Sequence, residues 1–429
     1  MTNTNAKGEF TLEIESLSYG PYGIGRLSGQ VIMIPATVPG DRVSARVTQS
    51  KGNYAVGEMV QLLDSSALRQ TPPCPYATEC GGCPWQQVRY ETQLEAKQRS
   101  VQDALKRIGK LQDFELRPIV PSPRQFHYRR RIRLQCDKNK RLGFYHPFSH
   151  AVVEINSCLI ADDLADRYLL TLRSWIQGLR TPIKEIEIVV GDEAKQIVVF
   201  GRADGLFMSQ DEEHCAALLA GQTELSGIIL SGLGWRRLWG QTRISVFPED
   251  GICLKADGDV FTQVNRESNR KILQELLRAG AFEERDRVLE LYCGAGNFTL
   301  SVAKRVSEVI AVESYRHSIE SGKLSAQLNG VENIHWVTGQ VAAQVKRLRQ
   351  QGQQFSKIIL DPPRTGAKGI DHDIACFGAE KILYVSCNPT TLARDLSALT
   401  KHGYKLTFAQ PIDLFPHTYH VEALAEMIC

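Results

Sequence analysis

Hydrophobic and polar positions divide the chain into three regions with different periodicities. Up to residue 63, short β-branched runs alternate with glycine-rich turns, a pattern that predicts a small β-barrel. Between residues 126 and 240, β-rich runs are separated by helical ones, which indicates an α+β domain. From residue 287 onward, apolar strands each lead into a turn and a helix, the order of a doubly wound α/β sheet. We therefore predict an α/β protein with three domains, at residues 1–63, 64–262 and 263–429.

The first region places its turns at two glycine-containing segments. Its strands are predicted at residues 10–14, 31–35, 42–47 and 55–62. Gly20, Gly23 and Gly25 fall in the turn at residues 19–25, and residues 38–41 form the next turn. This segment resembles a TRAM domain, an RNA-binding barrel of the OB type. The resemblance implies that the barrel supplies RNA affinity without taking part in chemistry.

Three cysteines follow on a loop that has no apolar pattern of its own. Cys74, Cys80 and Cys83 are accompanied by two glycines, which let the backbone pass close to an inorganic centre. Zinc and a [4Fe-4S] cluster each take four ligands, so three thiols are an incomplete set. Cys158, in a polar turn, is the candidate for the fourth ligand, and Cys136, in a predicted strand, is the alternative.

Basic and aromatic residues are interleaved between residues 124 and 145. The basic members are Arg124, Arg129, Arg130, Arg131, Arg133, Lys138, Lys140 and Arg141. Positive charge beside aromatic rings suits an RNA backbone with unstacked bases. A solvated basic face without a ligand is the alternative. We predict that residues 128–133 and 142–145 form the most RNA-like surface of the central domain.

The most informative local pattern lies at residues 382–395. An apolar run at residues 382–385 indicates a buried strand, and a helix is predicted from Thr390 onward. Cys387 falls between them, where open α/β sheets place reacting groups. Pro389 stops the strand and restricts the backbone of Asn388, which makes the turn sharp. Cys387 is therefore either a small buried residue that ends a strand or a thiol that reaches a ligand.

A glycine turn after an earlier strand indicates a ligand site of the nucleotide type. Gly294 and Gly296 follow the strand at residues 287–291, but the third glycine of a pyrophosphate loop is missing. Glu290, just before the turn, resembles the acidic start of a methyltransferase glycine loop. Glu313 ends the next strand, where a carboxylate that accepts hydrogen bonds from a ribose is expected. We predict adenosine binding at this edge.

Two further turns follow later strands of the same region. Asp361 begins a D-P-P-R sequence after the strand at residues 357–360, and the rigid prolines would present its carboxyl group to a planar base. A tight turn without function is the alternative. His417, His420 and Glu422 precede the final strand, and they are either ordinary loop residues or a source of a base for Cys387.

Composition limits the cellular setting more than the reaction. The 429 residues are 43% hydrophobic and 23% charged, which is ordinary for a globular protein, and the net charge of +3 does not indicate a partner. Uninterrupted apolar runs stay well below about 18 residues, and residues 1–9 are polar. We therefore expect a cytoplasmic protein without membrane contact. Eleven cysteines in a reducing compartment favour metal binding or catalysis over disulfides.

These motifs together resemble the RNA uracil-5-methyltransferase family, specifically the members with a TRAM domain and an iron-sulfur centre that modify 23S ribosomal RNA. The likeness spans nearly all of residues 10–429. Beside the four cysteines, the matching segments are Phe261-Thr-Gln-Val-Asn265, Leu291-Tyr-Cys-Gly-Ala-Gly-Asn-Phe298, Asp361-Pro-Pro-Arg364, Ser386-Cys-Asn-Pro-Thr-Thr-Leu392 and His420-Val-Glu422. The resemblance implies a Rossmann-like S-adenosylmethionine-dependent methyltransferase domain at residues 263–429.

The resemblance also implies roles for particular residues. Cys387 would be the nucleophile and Glu422 the proton acceptor. The cofactor and base pocket would be lined by Gln263, Tyr292, Asn297, Glu313, Gln340 and Asp361. One [4Fe-4S] cluster would be bound by Cys74, Cys80, Cys83 and Cys158. The partner would be 23S ribosomal RNA, with tRNA as the alternative because no pocket residue selects the RNA, and we expect a monomer.

The chemistry explains why a thiol and a carboxylate are needed together. Uracil C5 is a poor nucleophile, and addition of the Cys387 thiolate to C6 would give C5 the electron density to attack a methyl group. The C5 proton must then leave before the thiolate is expelled, and Glu422 would take it. The target base would have to be flipped out of its stack to allow the attack.

Two other classes of protein fit the sequence less well. A nucleotide-dependent oxidoreductase would need a pyrophosphate loop or a chain of redox centres, and neither pattern is visible. A noncatalytic RNA-binding protein with a structural metal would not need Cys387 and Glu422 together.

Overall fold

The computed structural model describes residues 8–193 and 196–429. The amino-terminal region is one strongly bent sheet. Its strands are β1 (Glu9–Glu13), β2 (Ser16–Leu17), β3 (Tyr22–Leu27), β4 (Gln30–Pro35), β5 (Arg42–Lys51) and β6 (Tyr54–Asp64). The strand order is β1-β5-β6-β4-β3-β2, with β4 and β6 parallel and every other pair antiparallel. Alternate residues such as Phe10 and Leu12 point inward, which gives the sheet one buried face.

The glycine-rich segment of this region differs from the prediction. Strand β3 begins at Tyr22, so Gly23 and Gly25 lie in a strand and the turn is confined to residues 18–21. A Cβ atom on Gly23 would collide with the side chain of Thr37, and one on Gly25 would collide with the carbonyl oxygen of Glu13. The glycines therefore let neighbouring segments approach the strand closely.

The next segment contains the cysteine loop and the long helix that follows it. Helix α1 (Tyr90–Asp103) continues into a π-helical turn (Ala104–Ile108), and a short strand, β7 (Glu115–Leu116), comes after it. Val101 and Leu105 are fully buried against helices and strands of the carboxyl-terminal region. The segment therefore packs on the part of the chain that carries residues 287–429.

A seven-stranded sheet forms the centre of the molecule. Its elements, with their helices, are β8 (Arg131–Cys136), β9 (Leu142–Tyr145), β10 (Val152–Glu154), α2 (Asp163–Arg167), α3 (Leu169–Gly178), β11 (Ile183–Val190), β12 (Ile197–Ala203), α4 (Asp211–Ala220), β13 (Leu225–Gly232) and β14 (Trp235–Gly240). The strand order is β10-β9-β8-β11-β12-β13-β14. Only one pair in this order, β12 with β13, is parallel.

The prediction of a basic surface at residues 124–145 is wrong for two arginines at its centre, which are buried. Arg130 and Arg131 are 2% and 8% exposed, because they lie at the start of β8, between β9 and β11 in the sheet. Arg130 pairs with Asp192 at 2.8 Å, and Arg131 pairs with Glu187 at 2.7 Å. Burial lowers the pKa of Arg130 to about 10, although Asp192 opposes this. Their charges are thus used within the fold and do not face a phosphate.

The carboxyl-terminal region alternates strands with helices, as predicted. Its elements are β15 (Arg243–Val246), β16 (Leu254–Asp257), α5 (Arg266–Gly280), β17 (Arg287–Leu291), α6 (Thr299–Ala303), β18 (Glu308–Glu313), α7 (Arg316–Leu328), β19 (Ile334–Thr338), α8 (Val341–Gln350), β20 (Lys357–Leu360), α9 (Asp371–Ala375), β21 (Lys381–Ser386), α10 (Pro389–Thr400), β22 (Lys405–Ile412) and β23 (Glu422–Ile428). In the described part of the chain, no helix has both the length and the apolar character needed to cross a lipid bilayer.

An eight-stranded sheet organises this region in the order β19-β18-β17-β20-β21-β23-β22-β7. The five strands from β19 to β21 in this order run parallel to one another, and β23 runs antiparallel to both β21 and β22. The chain leaves β17 toward β18 on one side and returns as β20 on the other, which creates a crevice at the carboxyl ends of these two strands. Strand β7 extends the sheet beside β22, although it falls within residues 64–262.

Candidate active site

The two predicted catalytic side chains lie across one strand pair. Ser386 at the end of β21 pairs with Ala423 near the start of β23. Cys387, one residue after Ser386, is therefore set across from Glu422, one residue before Ala423. Because β23 is antiparallel, its beginning reaches the sheet edge at which the parallel strands end.

The turn that carries Cys387 is fixed by its neighbour Asn388. The Asn388 side chain accepts a hydrogen bond from the Thr390 amide at 3.0 Å and so caps α10. Its amide group also donates to the carbonyl of Arg364 at 3.1 Å. Asn388 has an extended backbone, as a residue before proline prefers, and Pro389 occupies the first turn of the helix. The predicted strand-turn-helix arrangement is confirmed.

Burial and nearby carboxyl groups favour the protonated forms of the two predicted catalytic residues. Burial raises the pKa of Cys387 to about 12, Glu422 adds to the rise, and Arg364 opposes it. Burial also raises the pKa of Glu422 well above its usual range, with Asp361 adding to the effect and Arg364 again opposing it. Arg364 is thus the cation that faces both groups and favours their charged forms.

The D-P-P turn brings Asp361 into the same cleft. Asp361 directly follows β20, and its amide donates to the carbonyl of Leu291 at the end of β17. Asp361 is half-buried as a residue, and burial of its carboxyl group raises the pKa to about 7. The cleft therefore contains a carboxyl group that can exchange its proton near neutral pH.

A hydrogen bond joins the glycine loop, which follows β17, to Glu313 at the end of β18. The Glu313 carboxylate accepts hydrogen bonds from the Gly294 amide at 3.2 Å and from the Tyr315 amide at 2.7 Å. Gly294 and Gly296 both have positive φ, and so does Tyr292, whose φ is 64°. A left-handed tyrosine is uncommon and strained. The tight loop leaves its amides and the carboxylate at the crevice.

Two polar side chains beneath this loop are buried without partners. Glu290 Oε2 and Thr299 Oγ1 have no hydrogen-bond partner among the described residues. Burial raises the pKa of Glu290 to about 8; the nearby Thr299 hydroxyl group opposes the rise and Asp361 adds to it. S-adenosylmethionine carries a sulfonium cation and an ammonium group, and both would favour the ionised forms of such carboxyls. The residues present therefore fit this cofactor.

The other residues predicted to line the pocket have different surroundings. Asn297 and Asn269 exchange side-chain hydrogen bonds at 2.8 and 2.9 Å, so Asn297 faces α5. Gln263 is half-buried just before α5, and Gln340 is exposed at the start of α8. Asn269 was missed by sequence reasoning, because its partner lies 28 positions away.

The loop before Glu422 is buried, and it is not an ordinary surface loop. His417 is fully buried and stacks on Phe126 with ring centroids 4.4 Å apart. Its backbone amide donates a hydrogen bond to the side-chain amide oxygen of Gln93 at 2.8 Å. Burial lowers the pKa of His420 to about 3, and Arg364 contributes to the fall. Both imidazoles are thus neutral, and Glu422 is the carboxylate placed beside the thiol.

A buried ion pair fixes this loop to helix α1. Lys97 and Asp413 are both fully buried, with Nζ and Oδ1 2.6 Å apart. Lys97 also donates to the carbonyl of Phe415 at 2.9 Å, and Tyr90 donates to the Asp413 carboxylate at 2.9 Å. The sequence gives no sign of this contact, since the partners are 316 positions apart.

The four predicted ligand cysteines line one cavity of about 230 Å³. Cys74, Cys80 and Cys83 come from the loop and Cys158 from the turn after β10, whereas Cys136 is not among the lining residues. The Gly82 amide donates to Cys80 Sγ at 3.4 Å. Within the described residues, no group of three or more His, Cys, Asp or Glu side chains could hold a single metal ion.

The cavity surrounds its thiols with apolar side chains, with one another and with the two arginines Arg129 and Arg133. Burial raises the pKa of Cys83 to about 12, and Cys158 and Cys80 add to the rise. The pKa of Cys158 rises to about 11, again chiefly through burial. A [4Fe-4S] cluster gives each thiolate its own iron and so spans a wider set of sulfurs than one zinc ion does. The donor set fits a cluster better than a single ion.

Comparison with known proteins agrees with this geometry. Residues 247–425 match the family model described as tRNA (Uracil-5-)-methyltransferase, and residues 8–60 match the TRAM domain. The chain is similar in structure to the Pyrococcus abyssi tRNA (uracil-54, C5)-methyltransferase, solved in complex with S-adenosyl-L-homocysteine. The TM-score is 0.73 at 24% identity, over 97% of this chain and 99% of that one. This likeness confirms the predicted fold class.

Sequence relatives extend over almost the whole chain. It is 32% identical to an uncharacterized RNA methyltransferase of Gloeobacter violaceus, over 97% of this chain and 96% of the relative. It is 31% identical to the 23S rRNA (uracil(1939)-C(5))-methyltransferase RlmD of Histophilus somni, over 98% and 96%. The chain therefore belongs to the RNA uracil-5-methyltransferase family with a TRAM domain, and it is an S-adenosylmethionine-dependent enzyme that methylates uracil C5 in RNA.

Proposed function

We propose that this enzyme methylates a uridine of 23S ribosomal RNA through a covalent bond between Cys387 and C6 of the base. The observation that carries the mechanism is the pairing of Ser386 with Ala423, which sets Cys387 across from Glu422 in one cleft. A nucleophile and a proton acceptor that face the same space can act on one planar ring. Asp361 lies close enough to both to influence their pKa values.

Before the reaction, the Cys387 thiol and the Glu422 carboxyl group have to release to solvent the protons that burial favours. The Cys387 thiolate adds to C6, the C5–C6 π electrons move into the ring carbonyl, and C5 becomes nucleophilic. S-adenosylmethionine, when bound, supplies the electrophilic methyl group. The Glu422 carboxylate then removes the C5 proton, the C5–C6 double bond re-forms, and the C6–sulfur bond breaks. Arg364 favours the charged forms of the thiol and the carboxyl group.

The proposed cofactor site follows the crevice at the ends of β17 and β18. The buried Glu290 carboxyl group supports it, as does the Glu313 carboxylate, which the Gly294 amide holds at the crevice. The residues that we propose to hold S-adenosylmethionine and the target base are Gln263, Tyr292, Asn297, Glu313, Gln340 and Asp361. The target base has to leave its stack to reach Cys387.

Relatives favour ribosomal RNA as the substrate. Several that extend over at least 94% of their own length are named as 23S rRNA (uracil(1939)-C(5))-methyltransferases. The alternative is tRNA, since the similar Pyrococcus abyssi structure is named as a tRNA enzyme. Mass-spectrometric mapping of 5-methyluridine in a strain that lacks the gene decides between them: loss from 23S RNA supports the proposal, and loss from tRNA contradicts it.

The covalent mechanism is tested by separating the two catalytic residues. Cys387→Ala should form no covalent enzyme–RNA species while still binding S-adenosylmethionine. Glu422→Gln should allow attack and methyl transfer but leave the C5 proton in place, so a methylated adduct should accumulate. On a denaturing gel with labelled RNA, only the Glu422 variant should show a slow band that depends on S-adenosylmethionine.

Matched variants control for the loss of a thiol or a charge elsewhere. Cys376 and Glu332 are exposed on the same region, so Cys376→Ala and Glu332→Gln should turn over like the wild type. Turnover by Cys387→Ala, or release of methylated RNA by Glu422→Gln at the wild-type rate, would contradict the mechanism.

A [4Fe-4S] cluster bound by Cys74, Cys80, Cys83 and Cys158 is the second part of the proposal. Support comes from the shared cavity and from the amide that donates to Cys80 Sγ. We assign the cluster a structural role, because its cavity belongs to the central sheet. Anaerobic purification should yield about four irons and four sulfides per chain. Stoichiometric zinc without sulfide would contradict the assignment.

We propose that the enzyme acts as a monomer with functional units at residues 1–63, 64–262 and 263–429. The first of these units, the amino-terminal barrel, is proposed to add RNA affinity. Removal of residues 8–63 should weaken RNA binding and reduce its salt dependence, because fewer phosphate contacts release counterions. S-adenosylmethionine binding serves as the control for folding. Unchanged affinity for the full RNA would contradict this role of the barrel.

A further inference from the structure

One residue of the barrel reaches the catalytic turn. Tyr19 lies in the turn between β2 and β3, and its hydroxyl group donates a hydrogen bond to the carbonyl oxygen of Cys387 at 3.0 Å. Its ring meets the ring of Tyr419 edge-on, with centroids 5.8 Å apart and planes at 84°. Tyr19 therefore contacts both segments that carry catalytic groups, one at Cys387 itself and one three residues before Glu422.

The turn that carries Tyr19 is held in place from the barrel side. The Ser18 amide and hydroxyl group both donate to the carbonyl of Tyr22, at 2.9 and 3.0 Å. Leu17 packs in a small apolar cluster with Val38, Trp85 and Tyr419. The backbone on both sides of the turn is thus fixed, so the Tyr19 hydroxyl group is not on a free loop.

The turn is also supported by the central region. Tyr22 stacks on Phe148, with centroids 5.5 Å apart and planes at 18°. Phe148 lies between β9 and β10 with a left-handed backbone, and the Gly81 amide of the cysteine loop donates to the carbonyl of Tyr145 in the same hairpin. A continuous series of contacts therefore runs from the cysteine loop to the carbonyl of Cys387.

A hydrogen bond to this carbonyl restrains the direction of the thiol. The peptide plane between Cys387 and Asn388 contains the carbonyl, and Asn388 is already fixed by its helix cap and by Arg364. With the carbonyl held as well, rotation about the Cα–C bond of Cys387 is restrained. The surroundings of the Tyr19 phenol agree with this position, because burial and the nearby Cys387 raise its pKa above the usual range.

We propose that Tyr19 is a positioning residue for catalysis, through which the amino-terminal barrel fixes the nucleophile as well as adding RNA affinity. This inference rests on the proposed role of Cys387 as nucleophile. It replaces the expectation that the barrel takes no part in the chemical step. Direction matters for covalent catalysis, because a thiol that points away from C6 binds substrate normally but attacks it slowly.

The test compares two tyrosine variants of the same barrel. Tyr54, at the start of β6, is exposed to the same 36% as Tyr19. Tyr19→Phe should lower the single-turnover rate of methyl transfer at saturating RNA by about two- to tenfold, the effect of one hydrogen bond. Its RNA dissociation constant should stay within about twofold of the wild type. Tyr54→Phe should leave the single-turnover rate unchanged.

A second variant and a second readout separate this role from simple stability. Phe148→Ala, which removes the exposed stacking partner of Tyr22, should slow the same step by a smaller factor. In the Glu422→Gln background, Tyr19→Phe should slow the appearance of the covalent band without lowering its final yield. The inference is overturned if Tyr19→Phe keeps or exceeds the wild-type single-turnover rate, or loses rate only in proportion to RNA affinity. Absence of any covalent band in the parent Glu422→Gln variant would instead overturn the covalent mechanism, and this inference with it.

Discussion

The enzyme contains two thiol sites, and they are built on different kinds of backbone. Cys387 stands between a buried strand and a capped helix, whereas Cys74, Cys80 and Cys83 lie on a loop of successive turns. Burial raises the thiol pKa at both sites. Depth of burial alone therefore does not separate a catalytic thiol from a ligand thiol.

The charged neighbours make the difference. At Cys387 the guanidinium of Arg364 opposes the rise in pKa. At Cys83 the largest influence on the pKa after burial is Cys158, which adds to the rise, and Cys80 adds to it as well. The Gln86 side chain opposes the rise through a hydrogen bond, and Arg129 opposes it by the smallest amount. Thiols that raise one another's pKa deprotonate together only when cations come between them. The surroundings of Cys387 therefore suit attack on a substrate. Those of Cys83 suit binding of a metal centre.

The largest expected effect breaks the ligand site alone. Cys83→Ser should reduce bound iron and sulfide to near zero and lower the free energy of unfolding by at least about 3 kcal/mol, since metal binding is linked to folding. Cys136 is half-buried at the end of β8, beside the cavity's elements but not among its lining residues. Cys136→Ser is therefore the matched control and should retain the metal. Iron and sulfide analysis with thermal unfolding measures both. Equal metal content in the two variants would disprove the ligand assignment.

The next effect concerns the loop before Glu422, which helix α1 holds through the ion pair between Lys97 and Asp413. Lys97→Met leaves the fully buried Asp413 carboxylate without its cation and should cost about 3–5 kcal/mol in urea unfolding. The double variant Lys97→Met/Asp413→Leu removes both charges and should recover much of that loss. A single variant as stable as the wild type would mean that Asp413 is protonated in the fold.

A smaller effect sharpens the account of the catalytic thiol. The methyl-transfer rate should rise with pH by about tenfold per unit below the pKa of Cys387, because the reactive thiolate increases in that ratio. Arg364→Gln removes the cation that lowers this pKa, so the profile should move to higher pH and the rate at neutral pH should fall by about three- to tenfold. Single-turnover rates between pH 6 and pH 9 measure the shift, and an unmoved profile would argue against the role of Arg364.

The smallest effect compares the helix caps beside the two sites. Asn388 caps α10 after the nucleophile, and Asp162 caps α2 just after Cys158. Each change to alanine should cost about 1 kcal/mol of stability. Only Asn388→Ala should also slow methyl transfer, since it frees the turn of Cys387. Equal losses of activity in both variants would contradict this distinction, because they would mean that the cavity beside Cys158 affects methyl transfer as strongly as the turn of Cys387 does.

The catalytic turn could be predicted because its signals are local. The apolar strand, Cys387, the proline and the helix start all fall within residues 382–395, and the fold places them as the pattern indicates. The alternation of strands and helices around Gly294 and Asp361 is equally local. For the same reason the resemblance to a family of known fold was specific in this region.

Contacts between distant positions account for what was missed. The burial of Arg130 depends on Asp192, 62 positions away, and no local pattern distinguishes this pair from a surface charge. The contact of Tyr19 with Cys387 spans 368 positions. Gly23 and Gly25, predicted as turn residues, lie in strand β3, because the Thr37 side chain and the Glu13 carbonyl oxygen approach them from other parts of the chain.

The loop fixed by Lys97 should also resist local unfolding, which amide hydrogen exchange measures. The amides of Phe415, His417 and Thr418 are all hydrogen-bonded, to Asp413, to Gln93 and to the carbonyl of Phe415. Helix α1, Trp85 and Tyr128 hold this loop from separate regions of the chain. Amide protons here should therefore exchange with deuterium as slowly as those of the central strands of the large sheet, because local fraying cannot release them. We therefore expect the proposed base, Glu422, to lie at the end of a segment that opens only when its contacts with helix α1, Trp85 and Tyr128 are lost together.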